Sequence, residues 1–522
     1  MQVETPNLQF ADITVRDYIK ELETKIKETE YKYQELKERY DLLIYKRFAR
    51  SAEQLCTDDK QQSLFVEEGE GEQTSPEETG NEKQEIKSYI RRSKTPQKPG
   101  RKPIDPNIPR VEKVMDIPEN EKICACGARM VRIGEETAEK LEIIPPSMYV
   151  EKTIRPKYAC LSCEGTEDED KPAVRIARVP PAIIPRSIAS ASLLSYIMIQ
   201  KYQDHLPFYR QEVLFQRFGI HISRQNMSNW QQQVYAKLKP LFALMKETLK
   251  SGPVIHMDET TVQVMGEEGR DDTQKSYMWL ARGGPPLKPV VLYKYRETRG
   301  ANNAKEFLCG YSGYLQTDGY EGYDAAVKDM PRIIHVGCFA HARRKFFEAS
   351  KSTKKPQSAE EGIKHIRKLY ELEERLRKEN LGETVFLDRR KEEAEPILAV
   401  FRGWLEKRTI EVLPSSLLGV AVRYTLKQWY KLIAYLESPY LTPDNNAGEN
   451  AIRPFVLGRK NWLFNKSPEG AESSCGVYSL IESAKQNRLE PLKYLRELFD
   501  KAPLANSPED WEKLLPWNIF SA

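Results

Sequence analysis

The chain has 522 residues, more than a single hydrophobic core usually organises, so three or more folding units are expected. Its 81 Lys and Arg nearly balance 77 Asp and Glu, and a net charge of +4 rules out any argument from bulk charge for a nucleic-acid partner; only local clusters can carry one. No run of 18 apolar residues and no signal-peptide pattern occurs, which predicts a soluble cytoplasmic protein with no membrane partner, and eight cysteines over this length do not make a disulfide framework.

In chain order, Val15, Ile19, Leu22, Ile26, Thr29, Tyr33, Leu36, Tyr40 and Leu43 recur at alternating steps of four and three, the seam of a supercoiled helix. This predicts a coiled coil over residues 11–50, within an N-terminal unit 1–50, and through it a homo-oligomer. A single amphipathic helix packed on its own domain has the same pattern. Residues 51–105 read as a flexible linker. It is acidic from Cys56 to Glu85, then basic and proline-punctuated, with Arg91, Arg92, Lys94, Lys98, Arg101 and Lys102 able to lie along phosphates or to serve as a solvated tether.

Residues 106–170 form an expected β-rich module around Cys124-x-Cys126 and Cys160-x-x-Cys163, whose four thiolates can complete a tetrahedral shell around a structural zinc ion. Cys56, Cys309, Cys338 and Cys475 stand alone, and apolar packing is the expectation for them. Residues 171–250 read as helical. Within them a helix precedes Phe218-Gly219-Ile220, and Ser223 caps a second helix bearing Arg224, Gln225, Asn226 and Asn229, with Met227 and Trp230 facing inward. Polar residues opening a second helix are what groove reading needs, although many helical hairpins bind nothing.

Over 251–350 the rhythm changes to strands at VIHMDE, YMWLAR and PVVLYKY, a helix near Asn303–Leu308, then strands at GYLQTDG and RIIHVGCF. Three strands followed by helix and strand is the order of a ribonuclease-H-like core. Asp258 and Asp318 each end an apolar run, so each is expected at the carboxyl edge of a strand. On adjacent strands two such carboxylates repel unless a divalent cation lies between them, and two magnesium or manganese ions can drive phosphodiester chemistry. A third carboxylate fits at Glu449, on a helix within 441–465 that follows a capping signal at Asp444–Asn446, with Arg453 one turn on. Arg343, Arg344 and Lys345, in AHARRKFF beside His341, and Arg459 and Lys460 are candidate DNA contacts, or a solvated helix face. Residues 351–440 read as an all-helical insertion broken at Pro356, Pro396, Pro414 and Pro439, and 466–522 as a closing helical segment containing YSLIESAKQNRLEPLKYLREL.

With these pieces in hand, the chain resembles the large catalytic subunit of the insertion sequence 66 family of transposases. The likeness is carried by RFARSAEQL, GRKPIDPNIPR, IGEETAEKLEIIP, RPKYACLSCEG, DHLPFYRQEVLFQRFGIHISRQNMSNW, HMDET, GYLQTDGYEGY, CFAHARRKF, DNNAGENAIRPF and YSLIESAKQN. The resemblance implies an aspartate, aspartate, glutamate triad on a ribonuclease-H-like fold, matched here by Asp258, Asp318 and Glu449. It also implies a zinc-binding N-terminal module, small companion proteins of the same element, and a bacterial, nucleoid-associated setting. Two departures stand out: Asn450 follows the motif glutamate where members often carry Arg, and the first cysteine pair is one residue short of the usual spacing. The function expected is metal-dependent cleavage at element ends and strand transfer into target DNA. A catalytically silent, transposase-derived DNA-binding protein is the alternative.

Overall fold

The computed structural model describes residues 15–48, 174–352 and 356–520, together with 147–159 and isolated positions between 110 and 140. The expected linker at 51–105, with Arg101 and Lys102, and the zinc-ligand candidates Cys124, Cys126, Cys160 and Cys163 lie outside the described residues. Chain contacts define two units, Glu68–Arg178 in one and Met1–Glu67 with Val179–Ala522 in the other.

Helix α1 (Val15–Phe48) is continuous over 34 residues. Along its seam Ile19, Leu22, Ile26, Tyr33, Leu36, Tyr40 and Leu43 are exposed, while Thr29 turns its hydroxyl back onto the Lys25 carbonyl at 2.7 Å. Residues off the seam make the contacts to the rest of the unit. Glu38 accepts from the Leu417 N–H at 3.2 Å, Lys46 pairs with Glu348 at 2.9 Å, and the Tyr45 and Phe347 rings meet edge-on. In the smaller unit β1 (Lys157–Ala159) pairs antiparallel with β2 (Val174–Ile176), and Arg155 donates to the Ala177 carbonyl at 2.9 Å.

The larger unit continues through α2 (Ala191–Tyr202), α3 (Phe208–Arg217), α4 (Arg224–Lys237) and α5 (Lys239–Lys250). Gly219, at φ 73°, supplies the left-handed residue that turns the chain between α3 and α4, and the Ser223 hydroxyl accepts from the Asn226 N–H at 3.1 Å to cap α4. Met227 and Trp230 are buried beneath it.

The central sheet begins with a meander, β3 (Val254–Val264), β4 (Lys275–Gly283) and β5 (Val290–Arg296), paired antiparallel. Helix α6 (Ala301–Leu308) then carries the chain to β6 (Gly313–Gln316), and α7 (Glu321–Val327) carries it to β7 (Ile333–Val336). Parallel neighbours need such crossovers, and the strand order is β5-β4-β3-β6-β7, with β6 parallel to both β3 and β7. One expectation is corrected here. Asp258 is not at the carboxyl end of its strand, because β3 runs on through Glu259, Thr260 and Thr261, held by pairing with β4 from His256 to Gln263.

After the sheet come α8 (Phe339–Lys351), α9 (Gln357–Lys378), α10 (Glu383–Glu411), α11 (Leu417–Lys427) and α12 (Trp429–Ile433), which share a second core around Phe346, Phe401, Leu405 and Trp429. Pro396, expected as a break, lies inside α10. It forfeits one backbone hydrogen bond, yet the helix continues because Ala394, Leu398, Phe401 and Leu405 on either side of it are buried. The fully buried Arg390 donates to the carbonyls of Tyr435, Ser438 and Leu441 at 2.8–3.1 Å and to Glu373 at 2.6 Å. That guanidinium ties the helical segment to the chain leading into α13 (Asn446–Trp462). Strand β8 (Phe464–Asn465) then adds parallel to the far end of β3.

Helix α14 (Pro468–Gln486) covers the sheet edge: the Ser483 and Ser479 hydroxyls accept from the Val291 and Tyr293 N–H groups of β5, each at 2.9 Å. The closing segment is not one helix. Arg488 takes φ 59°, the chain bends at 487–490, and α15 (Pro491–Lys501) restarts on proline, followed by α16 (Pro508–Lys513).

A buried polar network joins α2, α4 and α14. Tyr202 donates to Gln231 at 2.6 Å, and Gln231 donates to Ser473 at 2.7 Å. Gln231→Ala removes both bonds and leaves a buried gap, although Tyr202 keeps Ser474 and Ser473 keeps the Gly470 carbonyl, and should cost about 2 kcal/mol. A lowered urea midpoint for the larger unit, at unchanged denaturant slope, is the expected result; an unmoved midpoint would count against this account of the network.

Candidate active site

Strand register brings two carboxylates together. β3 and β6 pair through His256 and Gln316, and continuing that parallel register by two residues sets Asp258 beside Asp318. On its β6 side β3 is paired only at 254–256, and β8 takes it up again at 263–264, so Asp258 stands in a gap between two partners. Asp258 Oδ1 accepts from the Glu259 N–H at 2.8 Å, and Asp318 Oδ1 accepts from the Tyr320 N–H at 3.0 Å, a short turn that fixes its carboxylate.

Helix α13 fills the gap and carries Glu449. Asn445, which the capping signal suggests as a helix cap, makes no side-chain cap bond. Its carboxamide instead turns inward, Nδ2 donating to the Met257 carbonyl at 3.0 Å and Oδ1 accepting from His256 Nδ1 at 3.0 Å. Because Oδ1 can only accept, His256 carries its proton on Nδ1. Burial, with the Arg282 charge, holds that imidazole neutral by lowering its pKa to about 4, against the favourable bond to Asn445. At the other end of α13, Arg459 donates to the Thr260 and Thr261 hydroxyls at 2.9 and 3.0 Å and to the Thr261 carbonyl. Asp444 does the capping, accepting from the Asn446 N–H at 3.1 Å. Two clamps on β3 thus bracket Glu449.

The electrostatics show strain that a cation would relieve. Burial, then the charges of Glu259, Glu449 and Asp318, holds Asp258 well above the ordinary aspartate value, with only the Glu259 N–H opposing. Burial pushes Glu449 up from 4.5 to about 7; the Arg344 charge opposes the shift, and Asp444 and Asp318 add to it. Glu449 Oε1 is buried with no hydrogen-bond partner among the described residues. A desolvated, unpaired acceptor facing other carboxylates fits a divalent cation. Glu259, next to Asp258, is held differently. Arg299 donates to it at 2.6 Å, and the Tyr323 hydroxyl donates to its other oxygen. Arg299 in turn lies 3.9 Å from the centre of the Tyr320 ring.

The other expected site residues are spread over three helices. Arg224, Gln225, Asn226 and Asn229 are exposed at the start of α4, where Gln225 donates to Asn229 at 2.9 Å. Arg343, Arg344 and Lys345 lie on α8, with Arg344 near Glu449 and Lys345 4.7 Å above the Tyr424 ring. Arg453 and Lys460 lie on α13, Lys460 exposed. Arg459, also expected as a DNA contact, directs Nη1 onto β3 at Thr260 and Thr261 and so clamps the strand. Cys309, expected to pack inside, is exposed. Sequence reasoning missed His256, Asn445 and Glu259, and it assigned Cys338 to packing alone. The C-x-x-H spacing of Cys338 and His341 was the available signal for the last.

A pH dependence follows for the metal-free chain. Glu449 keeps its proton to about pH 7 in the folded state, whereas the unfolded chain releases it near 4.5, so the stability it contributes is full below 4.5 and lost as pH rises through 7. Relative to Glu449→Gln, wild type should therefore match the variant near pH 4 and fall behind it by on the order of 3 kcal/mol at pH 8. Denaturation across pH in a chelator reads this difference. A gap independent of pH would contradict the burial and charge assigned to Glu449.

Comparison with known proteins agrees in extent. Residues 186–473 match the family described as Transposase IS66 family, 121–164 the zinc-finger binding domain of transposase IS66, 479–517 the IS66 C-terminal element, and 35–112 the region described as Transposase C of IS166 homeodomain. Relatives include two uncharacterized proteins of Sinorhizobium fredii. One, y4qI, is 33% identical over 80% of this chain and 77% of its own length, and the other, y4jD, is 30% identical over 79% and 80%. The zinc-finger match spans all four paired cysteines, and no described helix is long and apolar enough to cross a membrane. The chain belongs to the IS66 family of transposases.

Proposed function

We propose that this chain cuts DNA at the ends of its element and joins the freed 3′-hydroxyls to target DNA, with Asp258, Asp318 and Glu449 as ligands for two magnesium or manganese ions on a ribonuclease-H-like core. The observation that carries the reading is the β3–β6 register, which sets Asp258 beside Asp318, while the α13 clamps bring Glu449 to the same gap. The strand order β5-β4-β3-β6-β7 supports the ribonuclease-H-like assignment. Divalent cations bound there supply activation of the attacking hydroxyl and stabilisation of the leaving oxygen.

The remaining roles belong to this chain's own groups. Backbone N–H groups of Glu259 and Tyr320 each occupy one oxygen of Asp258 and Asp318, which orients the carboxylates before substrate arrives. His256 and Asn445 fix the start of α13, and so the direction of Glu449. Arg343, Arg344 and Lys345 on α8, with Arg453 and Lys460 on α13, are assigned to the phosphates of the reacting strand. Arg224, Gln225, Asn226 and Asn229 are assigned to base edges of the terminal repeats, and Arg101 and Lys102 to a flanking phosphate arm. Cys124, Cys126, Cys160 and Cys163 are assigned to a structural zinc ion. The division at 50, 105, 170, 250, 350, 440 and 465 is kept as the domain plan of this reading.

The exposed seam of α1 supports a coiled coil between copies of the chain, which would bring two element ends together. Leu22→Lys with Leu36→Lys should lower the solution mass to that of the monomer; an unchanged mass would remove α1 from the assembly. For the chemistry, Asp258→Asn, Asp318→Asn and Glu449→Gln should each drop joining of element ends in magnesium below detection while binding of those ends persists. Joining that survives in any one of the three would contradict the triad, and wild-type protein that binds ends but never nicks them would favour a silent DNA-binding role.

A further inference from the structure

A second set of donors converges on Glu449. Cys338 immediately precedes α8, and its Sγ, a ring nitrogen of His341 and a carboxylate oxygen of Glu449 all lie within 4.8 Å of one another. His341 Nδ1 is 3.6 Å from Glu449 Oε1, too far for a hydrogen bond, and both atoms are buried with no hydrogen-bond partner among the described residues. The Glu449 side chain is only 8% exposed. Buried polar atoms are ordinarily paired, so two orphans facing each other across such a gap call for something between them. A separation of 3.6 Å is close to that of two ligands each about 2 Å from one tetrahedral ion. The sulfur is already oriented, since Cys338 Sγ accepts from the Asn445 N–H at 3.3 Å. Asn445 is the residue that also clamps α13 to β3, so the donor set is built into the same joint.

The donor types decide the ligand. Magnesium takes oxygens and keeps its water, whereas one thiolate, one imidazole and one carboxylate suit borderline cations and match the three-ligand zinc pattern that leaves a fourth position to water or substrate. We propose that Cys338, His341 and Glu449 form a binding site for a borderline divalent cation of the zinc and cobalt class, separate from the magnesium sites assigned to the acidic cluster but sharing Glu449 with them. Binding releases the thiol proton to solvent and forms the metal–sulfur bond, with no change of oxidation state. The inference rests on the proposed function only through that shared glutamate. Occupancy takes a Glu449 oxygen away from Asp258 and Asp318, so a zinc-class ion here competes with magnesium-supported joining.

The test is cobalt titration of the full chain, purified with zinc in its cysteine module. Zinc outranks cobalt at such sites, so the module keeps its metal and added cobalt reports any further site. Wild type should take up one equivalent with tetrahedral visible bands and a near-ultraviolet thiolate-to-cobalt band. Cys338→Ser should lose the thiolate band, and His341→Ala, at a partly exposed position, should weaken binding by more than about tenfold. Asp258→Asn should leave the cobalt spectrum unchanged while it abolishes joining. No thiolate band in wild type, or one that persists in Cys338→Ser, overturns the site. A cobalt spectrum as described alongside active Asp258→Asn overturns the proposed function and leaves the metal site standing.

Discussion

Acidic side chains withdrawn from water and set side by side repel, and that repulsion is the constraint around which the larger unit is organised. Two unit charges about 4 Å apart at an effective dielectric of about 20 interact by about 4 kcal/mol, a large part of a domain's net stability. The Arg344 charge near Glu449 and single backbone N–H bonds to Asp258 and Asp318 relieve only part of it, for each carboxylate sits on an element held from elsewhere. β4 holds the strand of Asp258, β7 supports the strand leading to Asp318, and the Asn445 and Arg459 clamps hold the helix of Glu449. The neighbouring carboxylate, Glu259, is instead neutralised by Arg299 and bonded to Tyr323. The contrast between Glu259, with both oxygens taken by side chains, and Asp258 beside it, with one backbone N–H, separates a structural acid from a candidate metal ligand.

The helical segment between α8 and α13 serves the same end from outside the sheet. Its core takes in Val254 of β3 and Val336 of β7 from the sheet, and Arg390 spends its guanidinium on Glu373 and on three carbonyls of the stretch that leads to Asp444. A charge buried that deeply is tolerated only because its hydrogen bonds are met. The result is that about a hundred residues absent from the sheet still set where α13 begins, and so where Glu449 points.

Much of this was legible in the residues. The apolar runs at VIHM, YMWLAR and VVLYKY mark strands because the sheet is covered on both faces, and the Ser223 cap and Gly219 turn announce α3 and α4 through local chemistry. Local rules failed where tertiary contacts outvote them. The apolar run ends before Asp258, yet β4 pairing and Arg459 carry β3 on through Thr260 and Thr261. Pro396 looks like a stop, yet buried neighbours carry α10 through it. Asn445 looks like a cap, yet its amide is drawn inward by His256 and Met257, residues nearly 190 positions away. Separation along the chain also hid the link between Cys338 and Glu449, which lie on different helices joined only through the fold.

The gap beside β3 is assigned to divalent cations held between carboxylates from two strands and a helix. Anomalous diffraction from crystals of the full chain grown with manganese measures this directly. The account predicts manganese density bridging Asp258 and Asp318, with Glu449 coordinating in the same cleft. Manganese bound only elsewhere, with the Asp258 and Asp318 carboxylates turned apart and Glu449 in neither coordination sphere, would contradict it.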